Sequence, residues 1–275
     1  MIDLPRLVSD TLEAWDLVVD GPVAHGHGSV TVPVHTSDRV PAVLKIALPA
    51  TTPALEHLAL RRWGGNGAVL LMRADPHRRA VLLERLHNRN LDDLWDIEAC
   101  EVVASLYGRL HVPAMPQLPD LADMVASWTE DLSALPRSAP IPRRLVEQAI
   151  AHGRDFSSDG ATSATLVHGD LHYANVLAAD REPWLSISPS PINGDPHFEV
   201  APMLWNRWDD LAGDTRGGIR RRFFAVVDAA GLDDERARDW VVVRAVREAM
   251  VGLTAVEPDP ALVTRCVAIA KAVQG

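Results

Sequence analysis

A chain of 275 residues, 47 % of them hydrophobic, is long enough for one large domain or two lobes and too apolar to remain disordered. Its 27 basic and 37 acidic residues leave a formal charge of −10, which disfavours nucleic-acid binding by bulk electrostatics and suits a cationic small molecule. The sequence has no apolar run near the length of a membrane span, no basic-then-apolar leader and only Cys100 and Cys266, so a cytoplasmic, reducing setting without membrane contact or disulfides is expected.

The first lobe is expected over residues 1–86, mostly as strand. Trp15 to Val19 is short and apolar, and Val30, Val32 and Val34 alternate with Thr31 and Pro33, the period of a strand with one buried face. Between them, Gly26-His27-Gly28-Ser29 fits either a glycine-rich flap over phosphates or a plain hairpin turn, and His25 and His27 read as exposed turn residues. Val40 to Ala47 is the next strand. Within it Lys45 lies in an otherwise apolar run, where a lysine must snorkel or find a partner. A helix follows: Thr52 suits its N-cap, Pro53 its first position, and Gly64-Gly65 its end. Glu56 sits in its first turn, where the helix dipole favours an acid in any case. Ala68 to Ala74 and Arg79 to Leu86 are expected strands joined by the turn Asp75-Pro76-His77-Arg78.

His87-Asn-Arg-Asn90 breaks the strand pattern, and residues 87–275 are expected as a mostly helical second lobe. Leu91 to His111, Leu121 to Leu135 and Ile141 to Phe156 carry apolar residues at helical spacing, with a proline-rich loop over Val112 to Pro119. Met124 and Trp128 fall on a core stripe. Beyond residue 175 come a compact hairpin, Val176 to Ala178 with Trp184 to Ile187, then a helix containing Met203, Leu204 and Trp208. Ile219 to Ala230, Asp233 to Leu253 and Pro260 to Val273 close the chain as helices.

The stretch Leu166-Val-His-Gly-Asp170-Leu-His-Tyr-Ala-Asn175-Val-Leu177 is a polar cluster held between two apolar anchors. Asp170 and Asn175 stand five residues apart, the spacing of the Asp and Asn in a kinase catalytic loop. Phosphoryl transfer needs such a pair: the Asp orients the attacking hydroxyl and accepts its proton, and the Asn oxygen holds magnesium on the phosphates. In kinase order, an upstream strand Lys contacts the phosphates and pairs with a helix Glu, the places taken here by Lys45 and Glu56. The main chain around Glu84 to Leu86 would then bond adenine. Taken alone, an Asp in a polar loop such as Asp170 is more often a turn or cap residue.

Three segments carry a closer resemblance: Leu177 to Leu185, Gly194-Asp-Pro-His-Phe-Glu199, and Leu204-Trp-Asn-Arg-Trp-Asp-Asp-Leu211. They are similar to the streptomycin 6-phosphotransferases of the aminoglycoside/hydroxyurea antibiotic-resistance kinase family. The resemblance implies an α+β, protein-kinase-like fold of two lobes: an antiparallel sheet with one helix, then a mostly helical lobe. It implies an ATP- and magnesium-dependent kinase of a small hydroxylated molecule. Asp170 would be the base, and Lys45, Glu56, Gly26, Gly28, Glu84 and Leu86 would serve the nucleotide. Asn175 and residue 188 would serve the metal, and Glu199 would tie the following helix to the catalytic loop. One position departs. Where the family pattern reads Trp-Leu-x-Ile-Asp-Pro, with the Asp as main metal ligand, this chain reads Trp184-Leu-Ser-Ile-Ser188-Pro189. A neutral hydroxyl is a poor ligand for a hard divalent cation. Asp195 does not obviously replace it, because the pattern holds both acids.

Two other readings compete. A kinase fold weakened at Ser188 would act as a nucleotide- or ligand-binding protein. Alternatively, His168 and His172 would form a zinc pair at i, i+4, with Asp170 between them, if they shared a helix face. For a cationic acceptor, Asp209, Asp210 and Glu248 are the candidate carboxylates, although Arg247 adjoins Glu248.

Overall fold

The computed structural model describes residues 4–26, 28–48 and 55–275, so the expectations placed on His27, Thr52 and Pro53 lie outside the described residues. The chain forms two units: one runs to Asn88 and includes Leu177–Ser188, the other comprises Arg89–Val176 and Pro189–Gly275.

The first unit opens with α1 (Leu4–Ala14), an element for which the sequence reading made no provision. The expected strand over Trp15 to Val19 is corrected: only β1 (Val18–Val19) is extended, while Trp15 turns into the core at 7 % exposure. The antiparallel sheet continues through β2 (Ala24–Gly26), β3 (Ser29–His35) and β4 (Pro41–Ala47). After α2 (Glu56–Trp63) come β5 (Leu71–Asp75) and β6 (Ala80–Glu84), giving the order β1-β3-β4-β6-β5 with β2 also on β3. Period-two alternation decides the faces. Val30, Val32, Val34, Ala42, Leu44 and Ile46 are all buried, and Leu4, Leu7, Val8 and Leu12 of α1 pack on that side. Lys45, paired in register with Thr31, takes the opposite face of β4.

The second unit contains α3 (Asp96–Leu110), β7 (Val112–Pro113), α4 (Leu121–Ala134), α5 (Arg143–Ser158) and β8 (Thr165–Val167). A short hairpin, β9 (Val176–Ala178) and β10 (Trp184–Ser186), returns the chain to the first unit. The second unit resumes with β11 (Ile192–Gly194), α6 (Ala201–Trp205), α7 (Thr215–Ala230), α8 (Asp234–Thr254) and α9 (Pro260–Val273). Each of the last three helices begins at an aspartate whose carboxylate accepts from a first-turn N–H: Asp214 from Gly217, Asp233 from Arg236 and Asp259 from Leu262. Trp240 of α8 is fully buried and stacks on Phe156 at 4.0 Å, with Phe198 edge-on at 5.5 Å. Truncating such a side chain to Ala costs about 3–5 kcal/mol. No helix among the described residues is long and apolar enough to cross a membrane.

Three further expectations are corrected. Leu91 to His111 is not one helix: a 3-10 turn over Leu91–Asp93 precedes α3. Trp208 does not continue the helix of Met203 and Leu204: that helix stops at Trp205, Asn206 is extended, and a left-handed Arg207 (φ 50°) leads into a separate 3-10 turn. The hairpin after residue 176 was expected in the second lobe, yet it packs with the first unit. Its Arg181 explains why: the guanidinium bonds the Glu84 carboxylate and donates to the carbonyls of Gly65 (2.7 Å) and Ala68 (2.6 Å). Ser186 also donates its N–H to Gly67 O at 3.0 Å and accepts from Val69 N at 2.8 Å.

Candidate active site

In the first unit, β2 and β3 form a tight hairpin with Gly26 opposite Ser29. Gly28, inside the turn, has φ 80°, a conformation that glycine adopts at no steric cost, and its carbonyl accepts from Leu48 N at 2.8 Å. The described residues of this stretch thus have the backbone of a hairpin, one of its two expected forms. On β4, the Lys45 ammonium binds both oxygens of Glu56 at 2.9 and 2.8 Å. It also donates to Ser188 Oγ at 3.1 Å. The Lys45 and Glu56 side chains are only 11 % and 13 % exposed, so water screens this pair poorly. Ser188 has φ 56°, a left-handed conformation uncommon for non-glycine residues and enriched in Asn and Asp.

Glu84 ends β6. Its carboxylate accepts from Leu70 N at 2.7 Å and from Arg181, and its own N–H donates to Leu70 O at 3.0 Å. These groups brace the sheet edge against the hairpin. Leu86 lies just beyond the strand and is half-buried.

In the second unit the loop between β8 and β9 is pinned at nearly every residue. Gly169 has φ 82°, and a Cβ there would lie 2.2 Å from Ser190 O, so only glycine fits. Its N–H donates to Glu199 Oε1 at 2.5 Å, and its carbonyl accepts from Arg244 Nη2 at 3.2 Å. Ser190 N donates to His168 O, and Asp170 N to His168 Nδ1. Asn175 Nδ2 donates to Asp170 O at 2.8 Å and lies 3.5 Å from Asp170 Oδ2, which leaves Asn175 Oδ1 as the atom available to a cation. Tyr173 donates to Asp96 Oδ1 at 2.9 Å, and Asp96 Oδ2 accepts from the fully buried Arg222 at 2.6 Å. A backbone held this way fixes the Asp170 carboxylate, itself 46 % exposed, with little entropy left to lose.

Glu199 anchors the loop from behind. Its carboxylate is completely buried and also accepts from His111 Nε2 at 2.9 Å. Burial pushes this carboxyl up, but the hydrogen bond and charge of His111, the His168 ring and the Gly169 N–H outweigh it and hold it below its ordinary value. The link that the family resemblance implies for Glu199 is present as this bond to Gly169. Asp195 is likewise spoken for: it accepts from Trp240 Nε1 at 2.8 Å, Arg236 Nε at 2.6 Å and His197.

The zinc arrangement is ruled out by the backbone. His168 and His172 flank a left-handed Gly169 and share no helix face. Among the described residues no group of three or more His, Cys, Asp or Glu could hold a metal. His172 instead serves the loop. Its Nδ1 accepts from Ala174 N at 3.3 Å, and Nε2 faces Asp170 Oδ2 at 3.8 Å. Burial pushes its pKa down against the pull of Asp170, so the ring is neutral at neutral pH.

Asp170 borders a cavity of about 230 Å³ in the second unit, lined by Trp205, Arg244, Glu248, Leu262, Arg265 and Cys266. Of the three carboxylates considered for a cationic acceptor, only Glu248 lines it. Asp210 is paired with Arg207, and Asp209 lies beside it in the exposed 3-10 turn. Arg244 stacks over the Phe198 ring at 3.8 Å and donates to Phe198 O. Burial pushes its pKa down, opposed by Asp170, Glu248 and Glu199. Arg265 stacks over Trp208 at 5.3 Å and leaves a buried Nε without a partner. Burial and Glu248 push the Cys266 thiol up to about 12, so it is no nucleophile. Arg244 and Arg265 escaped the sequence reading because helical arginines ordinarily face solvent. The one available signal was Arg244 at helical spacing within the apolar run Trp240 to Val246.

The described geometry can be set beside known proteins. A family model, "Aminoglycoside/hydroxyurea antibiotic resistance kinase", matches residues 14–253. The chain is 38 % identical to a streptomycin 6-kinase of Streptomyces glaucescens over 99 % of its own length and 90 % of the relative's. It is 36 % identical to a hydroxyurea phosphotransferase of Kitasatospora aureofaciens, over 99 % of this chain and 79 % of that one. Among solved structures, the choline kinase LicA from Streptococcus pneumoniae shares the fold at a TM-score of 0.66 and 11 % identity, covering 99 % of each chain.

Proposed function

The chain belongs to the aminoglycoside/hydroxyurea antibiotic resistance kinase family and is an ATP-dependent phosphotransferase acting on a small-molecule hydroxyl; we propose that its acceptor is a cationic aminoglycoside of the streptomycin type and that Asp170 is the base. One observation carries the site assignment: a partly exposed carboxylate, on a loop pinned by Glu199, Arg244 and Asn175, borders a cavity that also holds Glu248. An acceptor hydroxyl bound in that cavity would give its proton to Asp170 as its oxygen bonds to the γ-phosphorus and the bond from that phosphorus to the β,γ-bridging oxygen breaks, releasing ADP. Glu248 would meet a guanidinium or ammonium of the acceptor, and the Arg265 Nε–H would find an oxygen.

On the nucleotide side, Lys45 held by Glu56 would contact the phosphates, under the turn of Gly26 and Gly28. Adenine would be met by main-chain groups near Glu84 and Leu86 other than the Glu84 N–H, which is already bonded. A cytoplasmic location follows from the need for ATP.

Magnesium is the cation this chemistry uses, and Asn175 Oδ1 with residue 188 is the ligand set that the family pattern implies. The donor at residue 188 does not fit. It is a neutral hydroxyl already accepting from Lys45, and the remaining acid of the pattern, Asp195, is consumed by Trp240, Arg236 and His197. No step is therefore assigned to the metal. The same observation favours a second reading, a nucleotide-binding protein with turnover well below the roughly 1–100 s⁻¹ of kinases.

A screen of the purified chain against streptomycin, other aminoglycosides, sugars, amino alcohols and hydroxyurea, read by ADP release, separates these readings. Streptomycin-dependent release is expected to lead the panel. Turnover confined to neutral acceptors would overturn the proposed substrate class, and release with none would favour the binding-protein reading.

A further inference from the structure

We propose that the first unit binds nucleoside di- and triphosphates without a divalent cation, because Ser188 has removed the negative charge that would otherwise demand one. The inference rests on reading Lys45 and Glu56 as the phosphate-facing pair, and it concerns only groups within that unit. In the implied family arrangement, Lys45 would stand between two carboxylates, at Glu56 and at residue 188, and the cluster would carry −1. A polyphosphate brought to such a cluster meets net repulsion, which a divalent cation offsets.

Here the cluster is Lys45, Glu56 and a neutral Ser188, with a net charge of zero. An ammonium has three donors. Glu56 Oε1 and Oε2, at 2.9 and 2.8 Å, and Ser188 Oγ, at 3.1 Å, lie within reach of those donors, and a phosphate oxygen would take the place of the weakest of them, the neutral Ser188 hydroxyl. Lys45 and Glu56 are close to nine-tenths buried, so the charge difference at residue 188 is felt with little screening. The backbone would accept the missing acid readily. Ser188 sits at φ 56°, where Asp and Asn are among the better tolerated residues. Ser188→Asp is therefore a change of charge on an unchanged scaffold, and Ser188→Asn is its neutral counterpart of nearly the same shape.

Isothermal titration of the full chain with ADP and with the non-hydrolysable imido analogue of ATP tests this, each in excess Mg²⁺ and in EDTA. Wild type and Ser188→Asn are expected to bind within about threefold in the two buffers. Ser188→Asp is expected to lose on the order of tenfold or more in EDTA and recover with Mg²⁺, the scale of one added like charge near the phosphates. Wild-type binding seen only with Mg²⁺ would overturn the inference and leave the nucleotide site standing. Absence of binding in both buffers would overturn the nucleotide reading of Lys45 as well. Ser188→Asp binding equally in both buffers would also overturn the charge argument, provided circular dichroism shows the variant folded.

Discussion

Replacing Glu199 with Gln tests whether the loop that carries Asp170 is held from behind. The wild-type carboxylate is fully buried and accepts from Gly169 N at 2.5 Å and His111 Nε2 at 2.9 Å. Glutamine preserves the volume but offers one oxygen, so it can satisfy one of those donors while its NH₂ faces the other. The loss of a charge-assisted hydrogen bond, about 1.5–3 kcal/mol, and a buried unsatisfied donor, about 1–3 kcal/mol, are partly offset by relieving a buried charge. A net destabilisation of about 3 kcal/mol follows, or a Tm lower by about 6–12 °C at the 2–4 °C per kcal/mol of chains this size. The pH dependence has a definite sign. The folded pKa of Glu199 is held below its ordinary value of 4.5, so the stabilisation is fully present above about pH 4.5 and is lost as pH falls through the folded value. Thermal melting followed by circular dichroism should show the gap between wild type and variant narrowing below that pH. Turnover should fall while ADP affinity is retained, because the freed Gly169 N–H loosens the segment carrying Asp170 and not the first unit. A variant melting within 2 °C of wild type at pH 7 with full turnover would refute the reasoning.

Asp170→Asn should keep the fold and the ADP affinity and lower kcat by about 10²-fold or more, the scale of general base catalysis; unchanged turnover removes Asp170 from the mechanism. Lys45→Ala should weaken ADP binding at least tenfold by calorimetry. Because the pair is nearly buried, stranding Glu56 should also cost about 3 kcal/mol in chemical unfolding, the lower end for a broken buried pair. Glu248→Gln should raise KM for a cationic acceptor up to about fivefold at constant kcat, roughly the worth of one ion pair at a partly exposed site, and leave neutral acceptors unaffected. An equal rise for both acceptor types would show that Glu248 acts through packing instead.

Much of the fold was legible because its signals are local. The alternation Val30-Val32-Val34 dictated one buried face of β3, and Gly64 marked the end of α2 by residue type. The loop was legible as an ordered polar segment between the apolar anchors Leu166-Val167 and Val176-Leu177, and hydrogen bonds at Gly169, Asp170 and Asn175 hold it so. What was illegible is tertiary. Nothing local to Arg181 announces that it will join the hairpin to Glu84, Gly65 and Ala68, and so move residues 177–188 to the first unit. The break at Arg207 likewise depends on Arg222, whose buried guanidinium donates to the carbonyls of Asn206 and Arg207 and to Asp96. The first helix was missed because Leu4, Leu7, Val8 and Leu12 acquire meaning only against the sheet they cover.

At residue 188 the demands of stability and those of the proposed function part. The fold makes no demand for a carboxylate there. Lys45 already has a full partner in Glu56, and the Ser188 hydroxyl satisfies another of its donors. Adding an acid would bring two carboxylates onto one nearly buried ammonium, a cluster that costs desolvation and returns little to stability. The left-handed backbone at Ser188 is the one structural trace of a different residue preference, since Asp and Asn tolerate it better than most side chains. That conformation would suit an acid, and here it holds a neutral residue whose hydroxyl bonds Lys45. If Lys45 faces phosphates as proposed, the identity of residue 188 would set how their charge is balanced, while the Lys45–Glu56 pair would stay the same.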